Sequence, residues 1–294
     1  MDHKNFLKSL SAAEKAQFNE RSDWRGLRHL FLHCVLLACG GTWIFLSLPF
    51  WQVVLIPHGI LLAFLFTLQH ECTHNTPFKS IWLNTLFGHM TAIILGQPFL
   101  WFRYFHFAHH KYTNIAGKDP ELEGPAKPET WGQMVRHISC LDYYWAKLTT
   151  LFNSAFGRLD AAYIPQRKRT HIRLEAIFLI ILYTLIGISG ATMLIWLWLI
   201  PLLFGFPVLR LYLLAEHGGC KRVANMFINS RTTITSRIVR FVAWNMPYHA
   251  EHHAMPSVPF HQLPKVHVLT RPHLGVITNG FWQFSRDYTE HFDR

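Results

Sequence analysis

Long stretches without charged residues alternate with polar, basic segments along this chain. Between Arg28 and Glu71 there is no Asp, Glu, Lys or Arg, so 42 consecutive positions are uncharged. They would form about 63 Å of helix at about 1.5 Å per residue, whereas a bilayer core is about 30 Å thick and needs about 20 residues to cross. This run therefore predicts two membrane spans, over residues 29–48 and 51–70, with the turn at Pro49.

A second uncharged run of 34 residues lies between Glu175 and Arg210. It predicts another pair of spans, over residues 174–191 and 193–214, that turn near Gly190. A third uncharged run, residues 80–102, is long enough to cross a bilayer by itself, and its topology depends on the histidines described below.

Basic residues avoid the two short turns and concentrate before, between and after the predicted hairpins. Because cytosolic segments of membrane proteins carry an excess of Lys and Arg, both termini and the middle segment are predicted to be cytosolic. The net charge of +11 fits this rule and an attraction to membrane lipid or an acidic partner. No nucleic-acid motif occurs, so no nucleic-acid partner is expected. The five cysteines form no CxxC pair, which disfavours a disulfide framework.

Three clusters hold many of the 20 histidines. They are His70-Glu71-Cys72-Thr73-His74, His106-Phe107-Ala108-His109-His110 and His249-Ala250-Glu251-His252-His253. In a helix, residues three and four apart share one face, so each cluster directs two or three imidazoles the same way. This arrangement is typical of metal ligands.

The number of clustered histidines indicates two metal ions. Eight imidazoles exceed the four to six ligands that one metal takes, and imidazole suits iron, zinc, copper and nickel. His217, where the last predicted span ends, is counted as a ninth ligand. Glu71, Glu216 and Glu251 are candidates to orient imidazoles through hydrogen bonds, the alternative being that they face solvent.

The order HxxxH, HxxHH, a lone His after the fourth span and a second HxxHH resembles the integral-membrane fatty acid desaturase family. The segment from His252 to Pro264 also resembles that family's HHxxPxxPxxxLP sequence. The resemblance covers roughly residues 30 to 275. It implies a di-iron centre, O2 as co-substrate and desaturation of a fatty acyl or related lipid chain. Hydroxylation or ketolation of a lipid or small amphiphile by the same site is the alternative.

Each turnover then needs electrons, and the chain has no nucleotide-binding, haem-binding or iron–sulfur motif. An external ferredoxin, rubredoxin or cytochrome-type donor is therefore expected. The basic cluster Arg167-Lys168-Arg169 could dock such an acidic donor, although contact with phospholipid headgroups is an equally good interpretation.

One position departs from the family pattern. In acyl-CoA members the lone His belongs to an NxxxH motif, but here the residue four before His217 is Leu213. This difference disfavours an acyl-CoA substrate and leaves Glu216 open to another role.

The histidines also constrain the third uncharged run. If residues 80–102 crossed the bilayer once, His106 would lie a membrane thickness away from His70. We therefore expect a re-entrant or interfacial helix, broken or bent with the help of Gly88, Gly96 and Pro98. The chain as a whole, residues 1–294, is predicted to be one all-α membrane domain, with four transmembrane helices as two hairpins and a cytosolic helical cap that carries the histidines.

Two other classes of protein compete with this interpretation. His70-Glu71-Cys72-Thr73-His74 matches the HExxH motif of zinc proteases, with Glu71 as the general base; a single zinc needs only three protein ligands, however, and leaves six histidines unused. A metal transporter would place ionisable ligands within the spans, whereas these clusters lie at span ends.

The remaining polar residues receive simpler interpretations. His33 and His58, within predicted spans, are expected to hydrogen-bond neighbouring helices. Asp119 and Glu121 are interpreted as part of a solvated loop. A surface or interfacial position is expected for eight other histidines: His3, His29, His137, His171, His261, His267, His273 and His291.

Overall fold

The computed structural model of the chain describes residues 1–292. Its α-helices are α1 His3–Ser9, α2 Ala12–Phe18, α3 Asp23–Phe45, α4 Trp51–His74, α5 Ile81–Leu95, α6 Phe99–Tyr112, α7 Trp131–Ile138, α8 Leu141–Phe156, α9 Arg169–Ile188, α10 Thr192–Leu194, α11 Ile200–His217, α12 Met226–Asn229, α13 Arg237–Val242, α14 His249–Ala254, α15 Leu263–Thr270 and α16 Phe281–Thr289. Two strands, β1 Thr232–Ile234 and β2 Ile277–Asn279, pair in parallel.

Four helical segments are long and apolar enough to cross a membrane, which confirms the predicted fold class. They are Ala12–Phe45, Trp51–His74, Gln166–Ile188 and Thr192–His217. Large apolar side chains such as Phe31, Phe45, Leu185 and Ile188 are exposed along them, as expected for helices in contact with lipid. The protein is thus an integral membrane protein.

Each long hairpin turns at the predicted place. The α3–α4 connection contains Ser47 and Phe50 with positive φ, and the Trp43 indole donates to the Pro49 carbonyl oxygen at 3.0 Å. The second hairpin turns at Gly190, whose φ of +66° favours glycine. A π-helical turn, Ile195–Leu199, then leads into α11.

Helices α4 and α11 cross at very close range. A Cβ atom on Gly59 would lie 1.8 Å from the carbonyl oxygen of Pro201, and one on Gly205 would lie 1.9 Å from the carbonyl oxygen of Gly59. Only glycine permits this backbone approach, as is common between membrane helices. The crossing brings together the two helices whose C-terminal ends carry His70, His74 and His217.

The apolar run at residues 80–102 forms two helices instead of one. Helix α5 is about 22 Å long at about 1.5 Å per residue, too short to cross a bilayer. The chain breaks where Gly96 adopts a φ of +65° and Pro98 precedes α6. The expectation that Gly88 contributes to the break is wrong, because α5 continues through that residue.

The two histidines predicted to hydrogen-bond neighbouring helices do so. His33 Nε2 on α3 contacts the carbonyl oxygen of Leu61 at 2.9 Å, and His58 Nε2 on α4 contacts that of Leu197 at 3.0 Å. Both hydrogen bonds therefore join neighbouring helical segments, as predicted.

The shorter helices and the two strands cover the end of the bundle where α4 and α11 finish. Within this cap Trp244, Phe227 and Leu263 are fully buried. Thr232 on β1 pairs with Ile277 on β2 and also bridges to Tyr248, immediately before α14. The prediction of an all-α cap is wrong in this detail: a small parallel sheet supports the helix that carries the third histidine cluster.

Candidate metal centre

Four helices bring the nine predicted histidines to one place. They come from the C-terminal ends of α4 and α11, from α6, and from α14. His74 is partly exposed, and the other eight are buried. Because α6 follows the break at Gly96, it turns back towards α4, and the His70 and His106 ring centroids lie 4.2 Å apart. The run between these two histidines therefore does not separate them.

The first group contains five imidazoles. One ring nitrogen from each lies within 4.8 Å of those of the others: His70, His74, His106, His110 and His252. The shortest approach is 2.8 Å, between His74 Nε2 and His106 Nε2.

The second group adjoins the first. His109, His217 and His253 also place ring nitrogens within 4.8 Å of one another. His249 joins this group, since its Nε2 lies 3.0 Å from His217 Nε2. The rings of His110 and His253 are stacked with centroids 4.0 Å apart, so the two groups are in direct contact.

The donor atoms of these groups fit metal ions. Both ring nitrogens of His70, His110 and His252 are buried without a hydrogen-bond partner, although buried polar atoms are nearly always bonded. Burial, followed by repulsion among neighbouring imidazoles, lowers the pKa of His106, His110, His249, His252 and His253. Neutral imidazoles with free lone pairs are the form that ligates transition metals.

Asp119 is not a histidine of the second group but hydrogen-bonds His109, which is. Its carboxylate accepts from His109 Nδ1 at 3.0 Å and from the backbone N–H groups of Asn114 and Glu121. Burial alone would lower the pKa of His109, but Glu121 and Asp119 outweigh it and raise that pKa. The expectation that Asp119 is part of a solvated loop is wrong, because it is almost completely buried.

Other imidazoles are fixed by partners that the sequence did not reveal. His217 Nδ1 contacts the carbonyl oxygen of Asn229 at 3.0 Å, and His253 Nδ1 contacts Thr113 Oγ1 at 3.0 Å. Asn229 in turn donates to the Thr113 carbonyl oxygen. These bonds set which ring nitrogen faces the other histidines. The only sequence signal was the position of Thr113 three residues beyond the second cluster.

The three predicted carboxylates occupy different positions. Glu216 Oε1 lies 3.3 Å from His249 Nδ1, and Glu71 Oε1 lies 3.6 Å from His252 Nδ1. Within residues 1–292 neither of these two nitrogens has a hydrogen-bond partner. Glu251 contacts Thr232, Thr270 and His267, and none of its hydrogen bonds reaches the nine histidines.

The general expectation for surface histidines is wrong at two positions. His267, the partner of Glu251, is buried, and so is His3, which contacts Asn225. His89, in contrast, lies away from the nine histidines and pairs with Glu175 at 2.7 Å.

A cavity of about 230 Å³ opens beside the histidines. His70, His106, His109 and His249 form part of its lining, together with aromatic and apolar side chains that include Phe66, Trp101, Phe102, Phe105 and Leu213. Leu213 thus presents an apolar side chain where the family pattern has an asparagine. The cavity offers an apolar chain a position next to the candidate metal site.

Comparison with known proteins identifies the family. This is an integral membrane protein with a histidine-built metal site, and residues 45–285 match the fatty acid desaturase family. The chain therefore belongs to the fatty acid desaturase family.

The curated relatives have low sequence identity to the chain, but the similarity extends over most of its length. The sphingolipid delta(4)-desaturase DES1 of Rattus norvegicus is 28% identical over 232 residues, which cover 74% of this chain and 64% of the relative. The sn-1 oleoyl-lipid 12-desaturase of Picosynechococcus sp. is 22% identical over 286 residues, 87% of this chain and 79% of the relative. Fatty acid conjugase FAC2 A of Calendula officinalis is 23% identical, with 87% and 78% covered. The chain thus matches somewhat less than two thirds of the length of the rat relative.

Proposed function

We propose that this protein is a di-iron, O2-dependent desaturase that removes two hydrogens from an alkyl chain of a fatty acyl or related lipid. The observation that carries the proposal is the pair of adjoining histidine groups beside an apolar-walled cavity. The family membership supports it, as do the relatives described above, which are named as lipid desaturases and a fatty acid conjugase.

The nine histidines would hold two metal ions. In this proposal one iron binds among His70, His74, His106, His110 and His252, and the other among His109, His217, His249 and His253. Irons held there would supply the O2-dependent oxidising chemistry that C–H cleavage requires, with two electrons from an external donor. Asp119 keeps the imidazole of His109 oriented through a hydrogen bond to its Nδ1 atom. Glu216 Oε1 lies 3.3 Å from His249 Nδ1 without a hydrogen bond to it.

The cavity walls would position the substrate. Phe102 and Phe66 pack with their rings tilted and their centroids 5.3 Å apart, and Phe102 stacks on His106. An alkyl chain against these rings would lie near the metals while water is excluded. Because Leu213 offers no hydrogen bond there, the wall at this point recognises the chain by shape alone.

A zinc protease fits the structure less well. In that mechanism Glu71 would act as general base on a metal-bound water. Glu71 is instead fully buried, and its Oε2 accepts from Thr76 Oγ1 and from the backbone N–H of Phe260, each at 3.0 Å. These bonds direct it towards α14 and the following loop, where it supports the third histidine cluster.

The proposal includes the topology and the electron source. Residues 1–294 form one membrane domain, with both termini and the metal site on the cytosolic side, as the distribution of Lys and Arg indicates. Electrons come from a separate ferredoxin, rubredoxin or cytochrome-type protein. An acidic donor would be attracted to this chain, whose net charge is +11.

The test is a mass-spectrometric comparison of lipid and small-molecule extracts. Cells that express the wild-type chain are compared with cells that express His252→Ala, which lacks one proposed ligand and is expected to insert into the membrane as the wild type does. We expect a product 2 Da lighter than its precursor in the wild type alone. A product 16 Da heavier would instead indicate hydroxylation, and no difference between the two extracts would contradict the proposal.

A further inference from the structure

Two basic residues line the same cavity as the histidines. Lys147 on α8 and Arg210 on α11 both contribute to its wall, as does the phenol of Tyr143. None of these three is among the candidate metal ligands, so their presence beside a site for an alkyl chain needs a physical explanation.

The two cationic groups meet at one aromatic ring. Lys147 Nζ lies 4.8 Å from the ring centroid of Tyr143, and Arg210 Cζ lies 5.2 Å from the same centroid. Lys147 Nζ also donates to the Leu95 carbonyl oxygen at 3.0 Å and to Gln97 Oε1 at 2.9 Å. The break between α5 and α6 therefore fixes the ammonium group in place.

Neither cation has a carboxylate partner. Within residues 1–292 no Asp or Glu oxygen lies within 4.0 Å of Lys147 or Arg210. Within the described residues the Tyr143 hydroxyl and Arg210 Nε are buried without hydrogen-bond partners. The guanidinium of Arg210 does contact His137 Nδ1 at 3.1 Å, but this imidazole carries no negative charge. Burial, with a further contribution from Arg210, lowers the pKa of Lys147 to about 7. Uncompensated cations and unbonded donors in a cavity are costly unless a ligand supplies the missing acceptors.

The carboxylates of the cavity lie beside the histidines. Glu121 Oε2 is 3.3 Å from His109 Nδ1, and Glu216 Oε1 is 3.3 Å from His249 Nδ1. An anionic ligand is repelled by Glu121 and attracted by Lys147 and Arg210. The charge distribution therefore orients any ligand that carries a negative charge at one end.

We propose that Lys147, Arg210 and Tyr143 form a subsite for an anionic group, a carboxylate or a phosphate, on the substrate. The inference rests on the proposed desaturase function and specifies its substrate class. Because these three residues line the same cavity as His70, His106, His109 and His249, the anionic group and the carbon that is oxidised would lie in one cavity.

A longer chain has further space at the same point. Lys147 also borders an apolar groove of about 320 Å³ that is lined by Leu148, Trp198 and Phe206, among others.

The experiment measures ligand binding to metal-free protein in lipid nanodiscs by isothermal titration calorimetry. The probes are octanoate, octyl phosphate and octan-1-ol, which share one chain and differ in the head group. We expect the wild type to bind at least one anionic probe about ten- to a hundredfold more tightly than octan-1-ol, as charge-assisted hydrogen bonds provide. Which anion binds more tightly identifies the head group as carboxylate or phosphate.

Variants then assign the preference to the subsite. Lys147→Met should lose the preference while still binding octan-1-ol, which also shows that it is folded, and Lys147→Arg should keep it. Tyr143→Phe, a milder change, should reduce it about tenfold. The matched control is Lys118→Met, because Lys118 is exposed and its Nζ lies 6.0 Å from the Tyr112 ring, outside the cavity.

Equal binding of all three probes by the wild type, or an unchanged preference in Lys147→Met, would overturn the inference. Iron content is measured after metal loading of the same preparations. Two irons without anion preference would refute the subsite alone, whereas anion preference without iron binding would refute the proposed di-iron function and leave the subsite standing.

Discussion

Asp119 offers the sharpest test of how this site holds its second metal. The carboxylate accepts from His109 Nδ1 and from two backbone N–H groups, and it is about 1% exposed. In Asp119→Asn one oxygen becomes an N–H₂ group, which cannot accept a hydrogen bond, and the negative charge is lost. The remaining oxygen can still accept from His109 Nδ1, but without the negative charge, and it can accept from only one of the two backbone N–H groups. The contact that keeps His109 Nε2 directed at His217, 3.1 Å away, is therefore weakened.

The size of the effect follows from comparable partners of metal-bound histidines. Loss of such a partner weakens metal binding by about 10- to 100-fold, or about 1.4 to 2.8 kcal/mol. The change should fall on one metal alone, because Asp119 contacts no histidine of the first group. Wild-type affinity at one site and weakened affinity at the other is therefore expected.

The assay is iron titration of metal-free protein in competition with a chelator, followed by metal analysis. Asp160→Asn, at an exposed position away from the histidines, is the matched control and should bind two irons as the wild type does. Two irons bound with wild-type affinity by Asp119→Asn would refute the argument. Loss of both irons together would show that the variant disturbs the whole site and not His109 alone.

Four further outcomes are expected. Gly59→Ala should lower the thermal midpoint of unfolding, because the added methyl group overpacks against Pro201 at a cost of about 1–3 kcal/mol. Gly187→Ala should not lower it, since the added Cβ would meet no atom within 4 Å. Glu216→Gln should weaken iron binding about tenfold, because its contact with His249 Nδ1 loses its charge; unchanged affinity would remove it as an orienting group. Glu251→Gln should lower the unfolding midpoint yet keep two irons, since its partners are Thr232 and His267, and loss of iron would contradict this. Octanoate affinity should fall as the pH rises through about 7, because the amine of Lys147 loses its proton there. This amine faces Arg210, Tyr143 and Gln97. A flat pH profile in Lys147→Arg would assign the change to that amine.

The sequence predicted those parts of the fold that have a regular period or a long uniform composition. Runs free of charge identified the four long helices because a bilayer imposes both length and polarity. The spacing of three and four residues identified eight clustered histidines because helix geometry places them on one face. The requirement that His70 and His106 meet also predicted that the run between them would not separate them.

What the sequence missed depends on tertiary contacts between irregular segments. Asp119 lies in a loop without periodicity, so nothing local distinguishes a buried hydrogen-bond acceptor from a solvated acid. The pairing of Glu251 with His267 joins two residues that are 16 positions apart and lie on different helices. The two strands have only three residues each, which is too short for a recognisable sequence pattern. The subsite at Lys147 and Arg210 joins α8 to α11, more than 60 positions apart in the sequence, and could appear only once the cavity was known.

The most direct test of the central claim is the metal content of the purified protein. Metal analysis of wild-type protein prepared anaerobically with iron should give close to two irons per chain, and both His109→Ala and His252→Ala should give fewer. One zinc per chain and no iron, retained by both variants, would contradict the account.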